Sequence, residues 1–132
     1  MEKDIDLLAR TAWGEARGEG VRGMQAVMNV IMNRAKQGGW WGDSIETVVK
    51  KRLQFSAWNE NDPNRERMLT VNESDPWFKA ALDLAKIAVR GDLADITGGA
   101  THYHTTSINP TWADASKVTA QIGNHVFYGG LG

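Results

Sequence analysis

Glu15 has the sequence surroundings of a carboxylate that could donate a proton. The apolar residues before it recur at the spacing of one buried helix face, and they are Ile5, Leu8, Ala9, Ala12 and Trp13. A helix turns by about 100° per residue, which puts Glu15 at the edge of that face, in front of a break at Gly18 and Gly20. Burial there would raise the pKa of the carboxyl group, as a general acid near neutral pH requires. The alternative is a solvated glutamate at a frayed helix end.

Polar side chains from later segments could complete an acid site around Glu15. Gln54, Ser56, Tyr103 and Asn124 each lie beside bulky apolar residues in a segment that we expect to be extended. Cleavage of a glycosidic bond needs an acid that protonates the leaving oxygen, and groups that stabilise an oxocarbenium-like centre. This set of residues suits that chemistry.

The three histidines offer a second chemistry. His102 and His104 would point to the same face of a strand, and His125 lies in a later β-prone segment. Three such side chains could hold a catalytic zinc ion. Histidines spaced in this way more often form hydrogen bonds, with Tyr103 facing the other side, so we predict no metal and no cofactor.

The tryptophans offer a third function, a carbohydrate-binding module without chemistry. Four of the six, Trp40, Trp41, Trp58 and Trp112, lie in segments rich in Gly, Asn, Asp and Pro, which indicates loops. Loop tryptophans can stack on sugar rings or anchor a loop to the core. Such a module would not need a glutamate at the edge of a core.

Length and composition predict one globular domain over residues 1–132. A net charge of −1 favours neither nucleic acid nor an anionic membrane as a partner. The absence of cysteine excludes disulfides and thiolate catalysis. The amino terminus lacks the pattern of a signal peptide, and no apolar run approaches the roughly 18 residues of a membrane span.

Apolar periodicity predicts three main helices. The first covers residues 4–16 and the second about residues 22–37. The third begins at Asp75-Pro76, a cap followed by a first-turn proline, and ends at Gly91.

Shorter elements are predicted between the second and third helices. A helix over about residues 45–49 is expected behind a capping box of Asp43 and Glu46. Residues 53–58 alternate as in an extended segment, and residues 59–67 read as a loop.

β-prone residues concentrate near the end of the chain. Residues 101–105 predict one strand, and residues 121–128 predict a single final strand. Helices first and strands last indicate an α+β domain with a small antiparallel sheet.

The chain resembles the SleB/CwlJ-type cell-wall hydrolases, which are spore-cortex lytic enzymes and their phage relatives. The similarity runs from about Leu7 to Tyr128, with the matching segments in the family's order. These segments are Ala12–Gly20, Val30–Arg34, Gln54–Trp58, Asn61–Asn64, Gly98–His104, Pro110–Ala113 and Ile122–Tyr128.

This resemblance implies a lysozyme-like, lytic-transglycosylase-like α+β domain that cleaves peptidoglycan between N-acetylmuramic acid and N-acetylglucosamine. The family's catalytic glutamate corresponds to Glu15, and Tyr103 would orient Glu15 or the substrate. The resemblance also implies chemistry without a metal. The expected substrate-binding residues are Gln54, Ser56, Trp58, His102, His104, Trp112 and Asn124.

Two mechanisms remain open at this point. In a lytic transglycosylase one carboxylate acts as acid and then as base, and the muramic acid 6-hydroxyl attacks its own anomeric carbon to give a 1,6-anhydro sugar. A hydrolytic muramidase uses a second carboxylate or a positioned water. Glu19 and Asp62 are the possible second carboxylates, ahead of Asp114, and we expect the transglycosylase.

The chain is interpreted as a catalytic domain alone. Many relatives add a signal sequence and a peptidoglycan-binding module, and neither is recognised here, which is typical of a phage endolysin. Such an enzyme would be made in the host cytoplasm and act on the wall after release, as a monomer on glycan strands; a trimmed chain is the alternative. Ala57 stands where relatives often carry Cys, so that position is interpreted as structural.

Overall fold

The computed structural model describes residues 2–51 and 55–131. The helices are α1 (Glu2–Ala16), α2 (Gly20–Gln37), α3 (Ile45–Lys50), α4 (Asn64–Thr70) and α5 (Pro76–Val89). The strands are β1 (His102–Thr105), β2 (Val118–Ile122) and β3 (His125–Tyr128). The predicted α+β class is confirmed. Among the described helices, none has both the length and the apolar character that a membrane span requires.

Helix α1 buries the apolar face that its periodicity predicts. Leu8, Ala9 and Ala12 are fully buried, and Trp13 is nearly so. This face packs against α2 and α5. The helix ends at Ala16, and a 3-10 turn then leads into α2. The last turn of α1 therefore holds Glu15 against the core.

Helix α2 lies between two apolar cores, which explains why so little of it is exposed. Val27, Met28 and Ile31 belong to the larger core with α1 and α5. Ala26 and Val30 belong to a smaller core against the sheet. The sheet is thus fixed to the same helix that supports α1.

Two asparagines of α2 fasten the loop that leads into β1. The Asn29 amide donates to the Ala94 carbonyl at 3.0 Å and accepts from the Ile96 N–H at 3.0 Å. The Asn33 amide donates to the Ala100 carbonyl at 2.9 Å. Asn29 is buried and Asn33 is half-buried, and the loop backbone satisfies both amide groups. These bonds fix the position of the loop before β1.

The three strands form one antiparallel sheet in the order β1-β3-β2. The prediction of a single final strand over 121–128 is wrong, because the chain reverses at Gly123 and Asn124 between β2 and β3. Gly123 has a φ of +57°, which a tight reversal can require and glycine adopts at low cost. A Gly-Asn pair between two β-prone runs is itself a hairpin signal.

The predicted capping box of α3 is shifted by one residue. The Ser44 hydroxyl accepts from the Thr47 N–H at 3.1 Å, and the Thr47 hydroxyl accepts from the Ser44 N–H at 3.1 Å. Glu46 does not reach back to Asp43; it pairs with Lys3 across the surface. The third long helix begins as predicted, with the Asp75 carboxylate accepting from the Phe78 N–H at 3.0 Å.

The segment between α3 and α5 also differs from its prediction. Ser56–Trp58 forms a 3-10 turn and not an extended strand, and Leu53 and Gln54 lie outside the described residues. The predicted loop over 59–67 ends early, because α4 begins at Asn64. The turn at 56–58 matters for the site, since it directs a backbone N–H toward α1.

Candidate active site

The Glu15 carboxylate receives one hydrogen bond on each oxygen. The Tyr103 hydroxyl donates to Oε1 at 3.0 Å, and the Ala57 backbone N–H donates to Oε2 at 3.0 Å. Ser56 lies close enough for its side chain to lower the pKa of Glu15. Three parts of the chain, the end of α1, the 56–58 turn and β1, therefore meet at one carboxylate.

The pKa of Glu15 is raised, as the sequence predicts. Burial is the largest cause, because it disfavours the charged form, and the negative charge of Asp62 adds to it. The hydrogen bonds from Ala57 and Tyr103 act in the opposite direction, because they stabilise the carboxylate. Glu15 therefore stays protonated to a higher pH than an exposed glutamate. Its ionised form is stabilised by the two hydrogen-bond donors.

Two ring contacts hold Tyr103 with its hydroxyl directed at Glu15. Its ring stacks on Phe127, with centroids 5.5 Å apart, and meets the edge of His125 at 5.3 Å. Burial and the nearby charge of Glu15 raise the pKa of Tyr103 well above its ordinary value. Tyr103 stays protonated and acts as a hydrogen-bond donor to Glu15.

Alternation along β1 places His102 and His104 on the face opposite Tyr103. His104 bonds through Nε2 to the Tyr128 hydroxyl at 2.6 Å and through Nδ1 to the Thr105 carbonyl at 2.7 Å. The Trp112 ring packs against both histidines, 5.2 and 5.7 Å between centroids. The structure does not bring His102, His104 or Trp112 to Glu15.

The three histidines also do not converge on one point. His125 pairs with Thr105 in the sheet and shares the face of Tyr103, whereas His102 and His104 lie on the other face. Within residues 2–51 and 55–131, no three His, Asp or Glu side chains are grouped as a metal site needs. The zinc alternative has no geometric support from these residues.

A cavity of about 480 Å³ opens beside Glu15. Glu19 and Asn124, both expected at the site, line it together with Glu15. His125 and the hydroxyl residues after β1 complete the lining, which consists of Glu15, Ala16, Gly18, Glu19, Thr105, Thr106, Ser107, Asn124 and His125. From the sequence, His125 is predicted only as a possible metal ligand, because the β1–β3 pairing that brings it here depends on long-range register.

Trp58 and Asp62, two other expected site residues, make local framework contacts in this structure. The Trp58 indole N–H donates to the Thr11 hydroxyl at 2.8 Å, which anchors the 56–58 turn to α1. Asp62 accepts from the Asn64 N–H at 2.8 Å at the start of α4, while its charge acts on Glu15. Asp114 is exposed and accepts from Ser116. Gln54 lies outside the described residues.

Arg34 is a buried cation beside the site that sequence reasoning did not assign. Its Nε donates to the Thr101 carbonyl at 2.7 Å, and its guanidinium lies 4.2 Å from the centroid of Trp41. Burial lowers its pKa to about 10, and electrostatic interactions with Tyr103 and Glu15 oppose that effect. Arg34 therefore remains charged at neutral pH and favours the ionised form of Glu15.

The fold is that of a cell wall hydrolase domain. A family model described as Cell Wall Hydrolase matches residues 18–128. The chain belongs to the cell wall hydrolase family. The matched segment begins just after Glu15, so the assignment of Glu15 depends on the site geometry and on the motif around it.

Curated relatives over the same region are spore cortex-lytic enzymes. The chain is 32% identical over 127 residues to the enzyme of Halalkalibacterium halodurans, covering 96% of this chain and 34% of that protein. It is 31% identical over 127 residues to the enzyme of Bacillus cereus, covering 96% of this chain and 44% of that protein. The chain thus spans less than half the length of these relatives.

Two solved structures share the fold. The catalytic domain of the Bacillus cereus SleB protein superposes with a TM-score of 0.72 at 27% identity, covering 97% of this chain and 91% of that one. The catalytic domain of the germination-specific lytic transglycosylase SleB from Bacillus anthracis gives 0.70 at 26% identity, with 97% and 95% covered. The expected resemblance to the SleB-type family is confirmed.

Substitutions at two neighbours should shift the pKa of Glu15 in opposite directions. Tyr103→Phe removes a hydrogen bond that favours the carboxylate, so the pKa of Glu15 should rise. Asp62→Asn removes a negative charge and keeps the oxygen that accepts from Asn64, so the pKa should fall. Titration of the Glu15 carboxyl group by ¹³C NMR measures its pKa in both variants. Shifts of the same sign in the two variants would contradict this description of the site.

Proposed function

We propose that this chain cleaves the glycan strands of peptidoglycan between N-acetylmuramic acid and N-acetylglucosamine, with Glu15 as the catalytic residue. The observation that carries the proposal is a partly buried carboxyl group with a raised pKa, held by two donors at the edge of a polar cavity. Membership of the cell wall hydrolase family supports the same substrate. A binding module alone would not need this carboxyl group.

In the first step protonated Glu15 acts as a general acid. Its proton passes to the glycosidic oxygen while the bond between that oxygen and the anomeric carbon breaks, and the leaving sugar departs with a hydroxyl group. Glu15 becomes a carboxylate. The Tyr103 hydroxyl and the Ala57 N–H already lie at hydrogen-bond distance to receive that charge, and Arg34 adds a favourable field.

In the second step the carboxylate acts as a base. It takes the proton of the muramic acid 6-hydroxyl while that oxygen bonds to the anomeric carbon of the same sugar. The product is a 1,6-anhydro ring, and Glu15 is again protonated. The site fits this sequence because burial favours the acid form of Glu15 and its two donors favour the base form.

Hydrolysis is the second candidate mechanism. Glu19 lines the same cavity as Glu15, and the charge of Asp62 acts on Glu15. Either carboxylate could activate a water in place of the 6-hydroxyl. The name of the Bacillus anthracis relative, a lytic transglycosylase, favours the first mechanism.

The place of action that we propose is the spore cortex or the bacterial cell wall. The similar proteins are spore cortex-lytic enzymes, which favours cortex or wall peptidoglycan as the substrate. A phage endolysin that acts on the host wall after release is the role expected from the resemblance. Digestion of purified cortex and vegetative walls in parallel compares the two substrates.

Glu15→Gln should fold normally and lose peptidoglycan cleavage. Removal of a general acid–base group typically costs about 10²- to 10⁴-fold in rate, and the amide keeps the size of the side chain. The measurement is the release of soluble glycan fragments from purified peptidoglycan. The matched control is Glu66→Gln, an exposed glutamate on α4 that should leave the rate unchanged. Wild-type activity in Glu15→Gln would refute the proposed role.

The products should identify the second step. A transglycosylase releases fragments with 1,6-anhydro ends, which are lighter by one water molecule than reducing ends. Mass spectrometry of the fragments measures the difference. Reducing ends alone would exclude the transglycosylase mechanism and favour hydrolysis with Glu19 or Asp62.

A further inference from the structure

His125 differs from the other two histidines in its hydrogen bonding. It is only 5% exposed, and its buried Nδ1 has no hydrogen-bond partner among the described residues. His104, by contrast, engages both ring nitrogens within the sheet. A buried polar atom without a partner is uncommon in native proteins and calls for an explanation.

His125 lines the same cavity as Glu15, so a ligand there would meet its ring. The edge contact between its ring and Tyr103 places it next to the side chain that holds Glu15. Within the described residues neither ring nitrogen is tied to the protein. Nδ1 is the buried ring nitrogen, whereas Nε2 is not among the buried unpartnered atoms of the described residues, so Nε2 is the nitrogen that a ligand in the cavity can reach.

Glu19 reaches the same part of the cavity from the other side. Its carboxylate lies directly against Gly123 in the β2–β3 turn, where a side chain at 123 would collide with it. Its negative charge acts on His125, although burial outweighs that charge and lowers the pKa of the imidazole. The cavity therefore combines an imidazole whose neutral form, with one donor and one acceptor, is favoured by burial, and the carboxyl group of Glu19.

This combination suits a neutral, hydroxyl-rich ligand. Thr106, Ser107 and Asn124 add hydroxyl and amide groups to the lining. Among the described residues, no lysine or arginine lines the cavity, so none of them offers a cation to a phosphate group there. An N-acetylated sugar offers hydroxyl and acetamido groups that pair with each of these side chains.

We propose that His125 and Glu19 form a subsite that binds one N-acetylated sugar of the glycan strand beside Glu15. The imidazole forms a hydrogen bond with the sugar, and the Glu19 carboxylate accepts a hydrogen bond from a sugar hydroxyl or amide group. The proposal rests on the proposed function and deepens it, because it makes Glu19 a binding residue and not the second catalytic carboxylate. A sugar in this cavity supplies a partner for Nε2 of His125, which has none among the described residues.

A direct test observes the histidine rings while an inactive enzyme binds saccharide. The sample is the full chain carrying Glu15→Gln, and the probe is the tetrasaccharide with two N-acetylglucosamine–N-acetylmuramic acid units. Ring ¹H–¹⁵N NMR should show the His125 nitrogens shifting on addition, with those of His104 unmoved. Unchanged His125 signals at a saturating concentration, or no binding at all, would overturn the proposal.

Kinetics on soluble glycan strands separate binding from catalysis. His125→Phe keeps a ring against Tyr103 and Phe127, and it should raise KM by about 10-fold, as loss of one buried hydrogen bond predicts. Its kcat should change less than its KM. Glu19→Gln should behave in the same way, and either variant with an unchanged KM overturns the subsite.

The same variants separate the subsite from a second catalytic carboxylate. If Glu19 activates water, Glu19→Gln should lower kcat by about 10²-fold or more with little change in KM, which contradicts the proposal. If His125→Phe fails to fold, the NMR test and the kinetics of Glu19→Gln still test whether the subsite exists. Failure of the wild-type chain to release glycan fragments would count against the proposed function, whereas saccharide binding by Glu15→Gln judges the subsite separately.

Discussion

The hydrogen bond from Tyr103 to Glu15 joins the helical part of this protein to its sheet. The two residues are 88 positions apart in the chain, and the bond forms only if β1 lies beside the last turn of α1. Helix α2 makes that possible by packing against both elements and by fastening the loop before β1 through Asn29 and Asn33. The packing of α1, α2 and the sheet thus brings the Tyr103 hydroxyl to the Glu15 carboxyl group at the edge of the core.

Opposing electrostatic effects at Glu15 fit the proposed use of one carboxyl group in two steps. Burial and Asp62 favour the protonated form, whereas Tyr103, the Ala57 N–H and the buried Arg34 favour the ionised form. Neither form is left without a compensating interaction. If burial alone acted on Glu15, the carboxyl group would hold its proton too tightly to act later as a base. If the hydrogen-bond donors alone acted, Glu15 would be ionised before it could protonate the glycosidic oxygen.

The sequence predicted the parts of the molecule that depend on local pattern. The apolar face of α1, the cap at Asp75 and the α+β class follow from periodicity and helix signals, and Glu15 follows from its place at the edge of that face. The position of His125 beside Glu15 could not be predicted, because it depends on the register of β1 against β3. The separation of His102 and His104 from the site follows from which face of β1 Tyr103 uses, and long-range packing decides that face.

The most direct test of the account compares the pKa of Glu15 with the pH dependence of catalysis. A general acid must be protonated in the free enzyme, so kcat/KM should fall as the pH rises through that pKa. We expect this limb of the profile to coincide with the NMR titration of Glu15, and to move to lower pH in Asp62→Asn together with it. A limb that stays in place while the pKa of Glu15 moves would show that another group supplies the proton.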